Sequence, residues 1–297
     1  MATKLIETLR SAVPYIARLH RRIDDLQHKL AAVAANPQLH TVYGSHNAKV
    51  IAEFRKFLQL LRPHRADGVA KRRFGGNADG GYVMLDDFGD ARTAISLGIG
   101  DDVSWDLDIA DRGLRVVQFD HTVDRPPREH PNFAFNRARI IASRAPRGSN
   151  GTQGDVTLGD ILARSDVADG TDIIAKIDIE GGEWDVLAQA DSAALSRLRQ
   201  VAIEFHDVPS FTEPSWRRTA LAALAKLMST HVCVHIHGNN WTPFTVIGGI
   251  PFPIGFEASF ARRADHAFVP SAEVFPTELD RPCNPKAADL YLGAWNY

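Results

Sequence analysis

The chain has 297 residues and a formal net charge of -2, with 34 basic and 36 acidic side chains. Hydrophobic residues make up 44% of it, which excludes global disorder and is ordinary for a globular protein. The near-neutral charge offers no basic surface of the kind that nucleic-acid binding requires. Two cysteines exclude a disulfide framework, and no apolar run suits a membrane span or a signal peptide, so we expect a cytoplasmic protein.

Residues 1–36 are predicted to form an amphipathic helix. Apolar residues from Leu5 to Val33 alternate at spacings of four and three, which is a heptad pattern. Pro14 is tolerated in a first turn, and Pro37 ends the helix. Two interpretations stay open, namely a short coiled coil that joins two copies of the chain and a helix that packs on its own domain. Residues 37–69 are predicted to be a helical lead-in whose helix is capped by Ser45.

Residues 70–297 are predicted to be one α/β domain with a C-terminal tail that wraps around it. The predicted strands are 94–97, 115–119, 173–179, 201–205 and 232–236, and the predicted helices are 103–112, 158–163, 183–190 and 216–228. Such alternation is typical of right-handed βαβ units around a mainly parallel sheet. Residues 256–262 follow a loop rather than a helix, which predicts an antiparallel strand. Residues 143–154 are predicted to be a mobile loop.

A glycine turn follows the first predicted strand. Gly98 and Gly100 lie between that strand and a helix, where glycines let the backbone approach a ligand closely. Val103 occupies the position of the third glycine in the dinucleotide fingerprint, so the pattern suits a nucleoside better than a dinucleotide. Asp120 ends the second strand about 20 residues after Gly100, where a carboxylate accepts hydrogen bonds from ribose hydroxyls. The alternative is a tight turn and a strand-end aspartate without a ligand.

Several motifs resemble those of FkbM-type S-adenosylmethionine-dependent methyltransferases. They are Ser96-Leu97-Gly98-Ile99-Gly100, Asp120, Lys176-Ile177-Asp178-Ile179-Glu180-Gly181-Gly182-Glu183-Trp184, and the segments 75–82 and 256–260. The resemblance spans about residues 70–265. It implies an α/β fold of the class I methyltransferase (Rossmann-like) type, with a seven-stranded, mainly parallel sheet whose last strand is antiparallel. It also implies S-adenosylmethionine as the cofactor, bound by Asp79, Gly81, Tyr82, Ser96, Gly98, Gly100, Asp120 and Asp178.

Polar side chains follow three of the predicted strands at the edge where open α/β sheets bind ligands. Asp178 lies at the end of strand 173–179, Glu204 and His206 at the end of strand 201–205, and His237 directly after strand 232–236. His206 or His237, with Glu204 nearby, could act as general base toward an acceptor hydroxyl. Alternatively, Asp178, Glu204 and His237 could hold Mg²⁺ or Mn²⁺, which would acidify that hydroxyl.

The loop after strand 232–236 contains Asn239, Asn240 and Trp241, which suit the hydroxyls and ring face of a sugar but are equally typical of a turn. The resemblance to FkbM-type enzymes, with which this loop is compatible, implies methyl transfer to a hydroxyl of a sugar, glycan, glycolipid or glycosylated natural product. A nicotinamide-dependent oxidoreductase and a non-catalytic cofactor-binding scaffold are the alternatives.

Overall fold

The computed structural model describes residues 23, 27, 42–43, 47–143, 154–164, 167 and 172–297. The chain divides into two compact units, residues 1–40 and residues 41–297. In the first unit, Ile23 and Gln27 are described, and both are helical. The rest of the heptad helix predicted for residues 1–36 lies outside the described residues. The loop predicted for residues 143–154 lies outside them too, except for its two end residues.

The second unit alternates helices and strands. Its described helices are α1 Ala48–Leu60, α2 Ser104–Ala110, α3 Leu158–Leu162, α4 Glu183–Gln189, α5 Ser192–Leu195 and α6 Pro214–Thr230, with a 3-10 helix at Val208–Thr212. The first described strands are β1 Val42–Tyr43, β2 His64–Ala66, β3 Lys71–Phe74, β4 Tyr82–Leu85, β5 Thr93–Leu97, β6 Arg115–Asp120, β7 Phe133–Arg137, β8 Arg139–Ile140 and β9 Asp155–Val156. The later strands are β10 Ile173–Ile177, β11 Leu198–Phe205, β12 His231–Gly238, β13 Phe244–Ile247, β14 Ile250–Pro253, β15 Phe256–Arg262, β16 Phe268–Pro270, β17 Val274–Phe275 and β18 Gly293–Ala294.

Seven strands form the central sheet, in the order β12-β15-β11-β10-β5-β6-β7. The pairs from β11 to β7 are parallel, whereas β15 is antiparallel to both β11 and β12. The predicted class I methyltransferase (Rossmann-like) fold, with an antiparallel last strand, is confirmed. Strand β7 was not among the strands predicted from the residues, although its Phe-Ala-Phe-Asn alternation is a strand signal. No helix among the described residues combines the length and the apolar character needed to cross a bilayer.

The cap predicted for the first helix of this unit is wrong. Helix α1 begins at Ala48, and Asn47 rather than Ser45 is its N-cap. The Asn47 side-chain oxygen accepts hydrogen bonds from the backbone amides of Lys49 at 2.9 Å and Val50 at 3.4 Å. Asparagine caps helices as well as serine does, so the residue that stands directly before the first helical turn takes the role.

An aromatic cluster packs α1 and α4 against the sheet. The ring of Trp184 stacks on Phe205 with centroids 4.2 Å apart, and Phe57 of α1 lies 5.7 Å from Trp184. Each fully buried ring of this size contributes about 1.5–3 kcal/mol to the free energy of unfolding. The indole N–H of Trp184 also donates to the backbone oxygen of His206 at 2.8 Å. The cluster therefore fixes the chain segments that follow β10 and β11.

Candidate functional site

A cavity of about 500 Å³ opens where the parallel strands end. Of the site residues predicted from the sequence, those that line it are Asp79, Gly98, Gly100, Asp120, Asp178 and Glu204. The other lining residues are Gly80, Ile99, Asp101, Asp102, His121, Thr122, Arg139, Ile140, Lys176, Ile179 and Glu180. Carboxyl groups thus outnumber cationic groups in the wall. We call the part around Gly98, Gly100 and Asp120 the glycine end, and the part around Asp79, Asp178 and Glu204 the carboxylate end.

Glycine is required at position 98. Its φ is 78°, in the left-handed region, and a Cβ there would lie 1.6 Å from the backbone oxygen of Asp178. The two neighbouring strands β5 and β10 therefore approach too closely at this point for any side chain. The backbone amide of Gly98 donates to the oxygen of Phe119 at 2.9 Å, which holds the turn against β6 as well.

Asp120 organises the glycine end. Its Oδ2 accepts hydrogen bonds from the amides of Ile99 and Gly100, both at 2.9 Å, and its Oδ1 accepts from the amide and hydroxyl of Thr122, both at 2.6 Å. Burial raises the pKa of Asp120, but these hydrogen bonds outweigh burial and lower it. Asp120 is therefore an ionised carboxylate that shapes the glycine turn, in addition to the ribose contact predicted for it.

Lys176 joins the two ends, and the sequence motif that contains it did not predict this role. This lysine is 3% exposed, and its Nζ donates to the backbone oxygen of Gly98 at 2.8 Å. The same Nζ lies 3.8 Å from Oδ2 of Asp178 and 5.8 Å from the ring centre of Tyr82. A lysine within the otherwise apolar and buried strand Ile-Ile-Ala-Lys-Ile was the available signal, because an unpaired charge is costly there.

The loop before β4 brings Asp79 to the carboxylate end. Arg73 donates to the backbone oxygens of Gly76 at 2.7 Å and Ala78 at 2.6 Å, and the Asp79 amide donates to the oxygen of Cys283 at 3.2 Å. The C-terminal tail therefore helps to hold this loop. Burial and the charges of Glu257 and Asp178 raise the pKa of Asp79 to about 6.

Three of the residues predicted to bind the cofactor lie behind the cavity wall. The Ser96 hydroxyl is fully buried and donates to Oδ2 of Asp106 at 3.2 Å. The Tyr82 hydroxyl donates to Oδ2 of Asp178 at 3.4 Å, so it acts on a residue that does line the cavity. Gly81 is packed so tightly that a Cβ there would lie 2.3 Å from the oxygen of Gly76.

Glu204 lines the cavity at the end of β11, and His206, which is not among the lining residues, lies beside it. Glu204 is 5% exposed, and the side-chain amide of Asn239 donates to its Oε1. Nε2 of His206 lies 3.6 Å from the same oxygen and 3.5 Å from Oε2 of Glu180, while its Nδ1 lies 3.3 Å from Oε1 of Glu183.

At the carboxylate end, the pKa values of both Glu204 and His206 are raised. Burial and the charges of Asp178, Glu257 and Asp79 raise the pKa of Glu204 well above its ordinary value. Burial lowers the pKa of His206, but the hydrogen bond with Glu183 and the nearby carboxylates raise it to about 9. At neutral pH His206 is therefore an imidazolium, and it gains base character only as its proton leaves.

Two of the three histidines of β12, His235 and His237, face the C-terminal tail. Nδ1 of His237 donates to Oε2 of Glu257 at 2.9 Å, and its Nε2 donates to Asp289 at 2.9 Å. Burial opposes its protonation, but these two carboxylates raise the pKa of His237 to about 10. His235 pairs with Asp280 at 2.8 Å. Both ring nitrogens of His237 are thus engaged, which favours a structural ion pair over the predicted roles of base or metal ligand.

Potential metal ligands fall into three groups among the described residues. They are Asp178, Glu180 and His206; Asp79, Glu204 and Glu257; and His237, Glu257 and Cys283. Within each group the ligand atoms lie within 4.8 Å of one another. The predicted set of Asp178, Glu204 and His237 is divided among all three groups. The group of Asp79, Glu204 and Glu257 has only oxygen ligands, which Mg²⁺ prefers.

The three residues of the loop after β12 differ in their contacts and in their exposure. Asn239 holds Glu204, as described, and its Oδ1 accepts from the amide of Trp241 at 2.8 Å. Asn240 is buried and exchanges hydrogen bonds with the backbone of Asn284, at 3.0 Å and 2.6 Å. Trp241 is 57% exposed, so it is the member of the loop whose ring is open to a ligand.

Comparison with known proteins leaves the family undetermined. No protein-family model matches the chain, and no curated protein does. One similar solved structure is a crystal structure of a tryptophan-to-alanine mutant of the 16S rRNA (adenine(1408)-N(1))-methyltransferase from Catenulisporales acidiphilia. It is 14% identical, covers 65% of this chain and 98% of its own, and has a TM-score of 0.30. A likeness this distant bears on neither activity nor substrate, so function has to be inferred from the site itself.

Proposed function

We propose that the chain is an S-adenosylmethionine-dependent methyltransferase. The observation that carries this proposal is the cavity itself, which joins a glycine turn and a strand-end aspartate to a carboxylate-rich end. S-adenosylmethionine has matching parts, namely a nucleoside at one end and a sulfonium and an ammonium at the other. A carboxylate and a cation 4 Å apart attract each other by about 4 kcal/mol where water is partly excluded. Carboxylates at one end of the cavity therefore stabilise a cationic ligand.

The same charges disfavour a nicotinamide dinucleotide. Its pyrophosphate would have to lie between the glycine turn and the start of α2. Asp101 and Asp102 occupy that stretch and line the cavity, and Val103 stands where the third glycine would be. Two carboxylates beside a doubly charged pyrophosphate would repel it. The oxidoreductase alternative is therefore the weaker one.

Within the proposed enzyme, each end has a distinct role. Gly98 and Gly100 allow close approach of the nucleoside, and Asp120 binds the ribose while it holds the turn. Asp79 and Asp178 pair with the ammonium and sulfonium of the cofactor. Lys176 fixes the distance between the two ends through the oxygen of Gly98.

For the acceptor, the resemblance to FkbM-type enzymes favours a hydroxyl oxygen of a sugar or glycan. Methyl transfer is an in-line displacement, so the protein has to align the acceptor and manage its proton. His206 is the proposed base, since it stands beside Glu204 at the end of β11. Because its pKa is about 9, the base form becomes more abundant as the pH approaches that value.

A divalent ion is the alternative way to activate the acceptor. Mg²⁺ or Mn²⁺ bound to the acceptor hydroxyl would lower the pKa of that hydroxyl. Glu204 is common to the ligand set predicted from the sequence and to the set formed with Asp79 and Glu257. Loss of turnover in EDTA, with recovery in Mg²⁺, would favour this alternative over base catalysis by His206.

Calorimetry tests the proposal most directly. Titration with S-adenosylmethionine, S-adenosylhomocysteine, NAD and NADP should give binding of the first two alone. Preference for NAD would establish the oxidoreductase alternative. A methyl-label assay with a panel of sugars then separates an enzyme from a scaffold, because a scaffold binds the cofactor without transferring its methyl group.

The proposed partner role of the N-terminal helix needs a separate experiment. If residues 1–36 join two copies of the chain, their deletion should halve the mass measured by light scattering. Affinity for S-adenosylhomocysteine should stay unchanged, because the cavity is lined by residues 79–204. A truncated chain that keeps its full mass would show that the heptad pattern serves packing within the chain.

A further inference from the structure

The first residue of α4, Glu183, is buried, and the proposed cofactor contacts do not use it. It is 0% exposed, and its Oε1 accepts hydrogen bonds from the backbone amides of Ile179 at 2.9 Å and Gly181 at 3.1 Å. Its Oε2 is also buried, and no residue in the described part of the chain donates a hydrogen bond to it. A buried carboxylate with one unpaired oxygen costs free energy, so its contribution to folding does not account for it.

Glu183 and the next residue, Trp184, hold His206 at two points. Nδ1 of His206 donates to Oε1 of Glu183 at 3.3 Å, and the indole N–H of Trp184 donates to the backbone oxygen of His206 at 2.8 Å. The indole is itself fixed, because it stacks on Phe205. The first turn of α4 therefore sets the position of the His206 backbone and the direction of its ring.

The backbone on both sides of this contact adopts costly conformations. Glu180 has a φ of 57° and Asp207 a φ of 63°, and they are the two residues other than glycine with a positive φ among those that the structure describes. Gly181 lies between the two turns, and a Cβ there would lie 3.0 Å from Oδ2 of Asp207. Each such conformation costs about 1–3 kcal/mol and persists where the surrounding contacts enforce it. The approach of α4 to the end of β11 is thus enforced from both chain segments.

The other ring nitrogen of His206 lies on the side of the cavity. Nε2 is 3.5 Å from Oε2 of Glu180 and 3.6 Å from Oε1 of Glu204, and both of these residues line the cavity. A neutral imidazole has one N–H, so the nitrogen that carries it cannot accept a proton. A base that acts through Nε2 therefore needs its N–H on Nδ1, where Glu183 accepts it.

We propose that Glu183 is a positioning residue that keeps the N–H of neutral His206 on Nδ1 and leaves Nε2 free to accept the proton of the acceptor hydroxyl. This inference rests on the proposed methyltransferase function and on His206 as its base. In the reaction the methyl carbon leaves the sulfonium, which becomes a thioether, and bonds to the acceptor oxygen. The hydroxyl proton passes to Nε2 and later to water, while Glu183 remains a carboxylate. Without the charge of Glu183, Glu180 and Glu204 would draw the N–H to Nε2.

The first test reads the position of that N–H directly and needs neither cofactor nor acceptor. A proton–nitrogen correlation spectrum of the full chain with 15N-labelled histidine is recorded at about pH 10, above the pKa of about 9 of His206. The His206→Ala variant identifies the ring by the loss of its signals. We expect the wild-type ring to carry its N–H on Nδ1, and the Glu183→Gln variant to carry a large share of it on Nε2. Glutamine keeps the shape and an oxygen for the amides of Ile179 and Gly181, so this variant should fold.

The second test is single-turnover methyl transfer at the same pH, to the sugar of the panel that accepts the label. Glu183→Gln should lower the rate about 10- to 100-fold and leave the affinity for S-adenosylhomocysteine unchanged. In the His206→Ala background the same substitution should have no further effect, because Glu183 acts through that ring. Asp185→Asn is the matched control: it removes an exposed carboxylate from the same helical turn and should behave as the wild type in both tests.

Three results overturn the inference. They are a wild-type ring that carries its N–H on Nε2, a ring in Glu183→Gln that is unchanged from the wild type, and a loss of rate from Glu183→Gln that is equally large with and without His206. The last would show that Glu183 supports the fold independently of the histidine. Failure of the wild type to bind S-adenosylhomocysteine would contradict the proposed function, and the ring spectrum would still decide whether Glu183 sets the position of the N–H.

Discussion

The two ends of the cavity are held together by different kinds of contact. At the glycine end, one carboxylate, Asp120, accepts hydrogen bonds from nearby backbone amides and a hydroxyl, and its pKa is lowered. At the carboxylate end, side chains from distant segments pair with one another, and the pKa values of Glu204 and His206 are raised. The glycine end is thus held by local hydrogen bonds around a carboxylate that is already ionised. At the carboxylate end, a ligand or a change of pH can shift the protonation of Glu204 and His206.

This difference predicts that mutations at the carboxylate end mainly change turnover, whereas mutations at the glycine end mainly change cofactor affinity. The largest effect is expected from His206→Ala, which should lower turnover by about 10²- to 10⁴-fold if His206 is the base. Affinity for S-adenosylmethionine should stay near the wild-type value, because the proposed nucleoside contacts lie at the ends of β5 and β6. Single-turnover methyl transfer measures the first quantity and calorimetry the second. An equal loss in both would show that the two ends do not act separately.

Gly98→Ala should have the next largest effect, on stability as well as binding. The added Cβ would lie 1.6 Å from the oxygen of Asp178, so β5 and β10 would have to separate. We expect the free energy of unfolding to fall by about 3 kcal/mol and cofactor affinity to fall with it. Urea denaturation monitors the first. Gly100→Ala is the matched control, because a Cβ there meets nothing within 4 Å although its φ of 46° carries a similar backbone cost.

Asp120→Ala should weaken binding of S-adenosylmethionine by about 1–3 kcal/mol, since it leaves the ribose hydroxyls and the amides of the glycine turn unpaired. Turnover at saturating cofactor should change far less than in His206→Ala. Unchanged cofactor affinity in this variant would rule out the ribose contact and would confine Asp120 to shaping the turn.

The smallest effect concerns the dependence of stability on pH. The folded-state pKa of His237 is about 10, above the unfolded value of 6.5, so its stabilising contribution is complete below about pH 6.5. It is lost as the pH rises toward about 10. Thermal unfolding should therefore show a melting temperature that falls by several degrees over this window. His237→Gln should flatten the slope, and the slope that remains comes from the other groups whose pKa is raised, among them His206 and Glu204.

The sequence predicts the glycine end well because its parts are local. Strand periodicity locates β5 and β6, and the turn and Asp120 lie directly at their ends. Main-chain geometry alone then brings them together. The same reasoning places Asp178 and Glu204 at one edge, and the structure finds both in the cavity wall.

The carboxylate end resists such prediction because its contacts join distant segments. His237 pairs with Asp289, and the backbone of Cys283 holds Asp79, but no periodicity within the tail indicates either contact. Whether a buried histidine is a base or an imidazolium depends on these partners. Sequence reasoning could therefore nominate His206 and His237 but not their protonation states.

The position of β15 has a consequence for how the chain folds. This strand lies between β11 and β12, yet it follows both in sequence, so β12 joins the sheet only once β15 is inserted. Non-local pairing of this kind is slow, because loop-closure entropy is lost before contacts compensate for it. We therefore expect a folding intermediate in which β5, β6 and β10 have formed and β12 has not. Such an intermediate would already contain the proposed nucleoside site while the proposed acceptor side is still open. Pulsed hydrogen exchange should show protection of the β6 amides before those of β12.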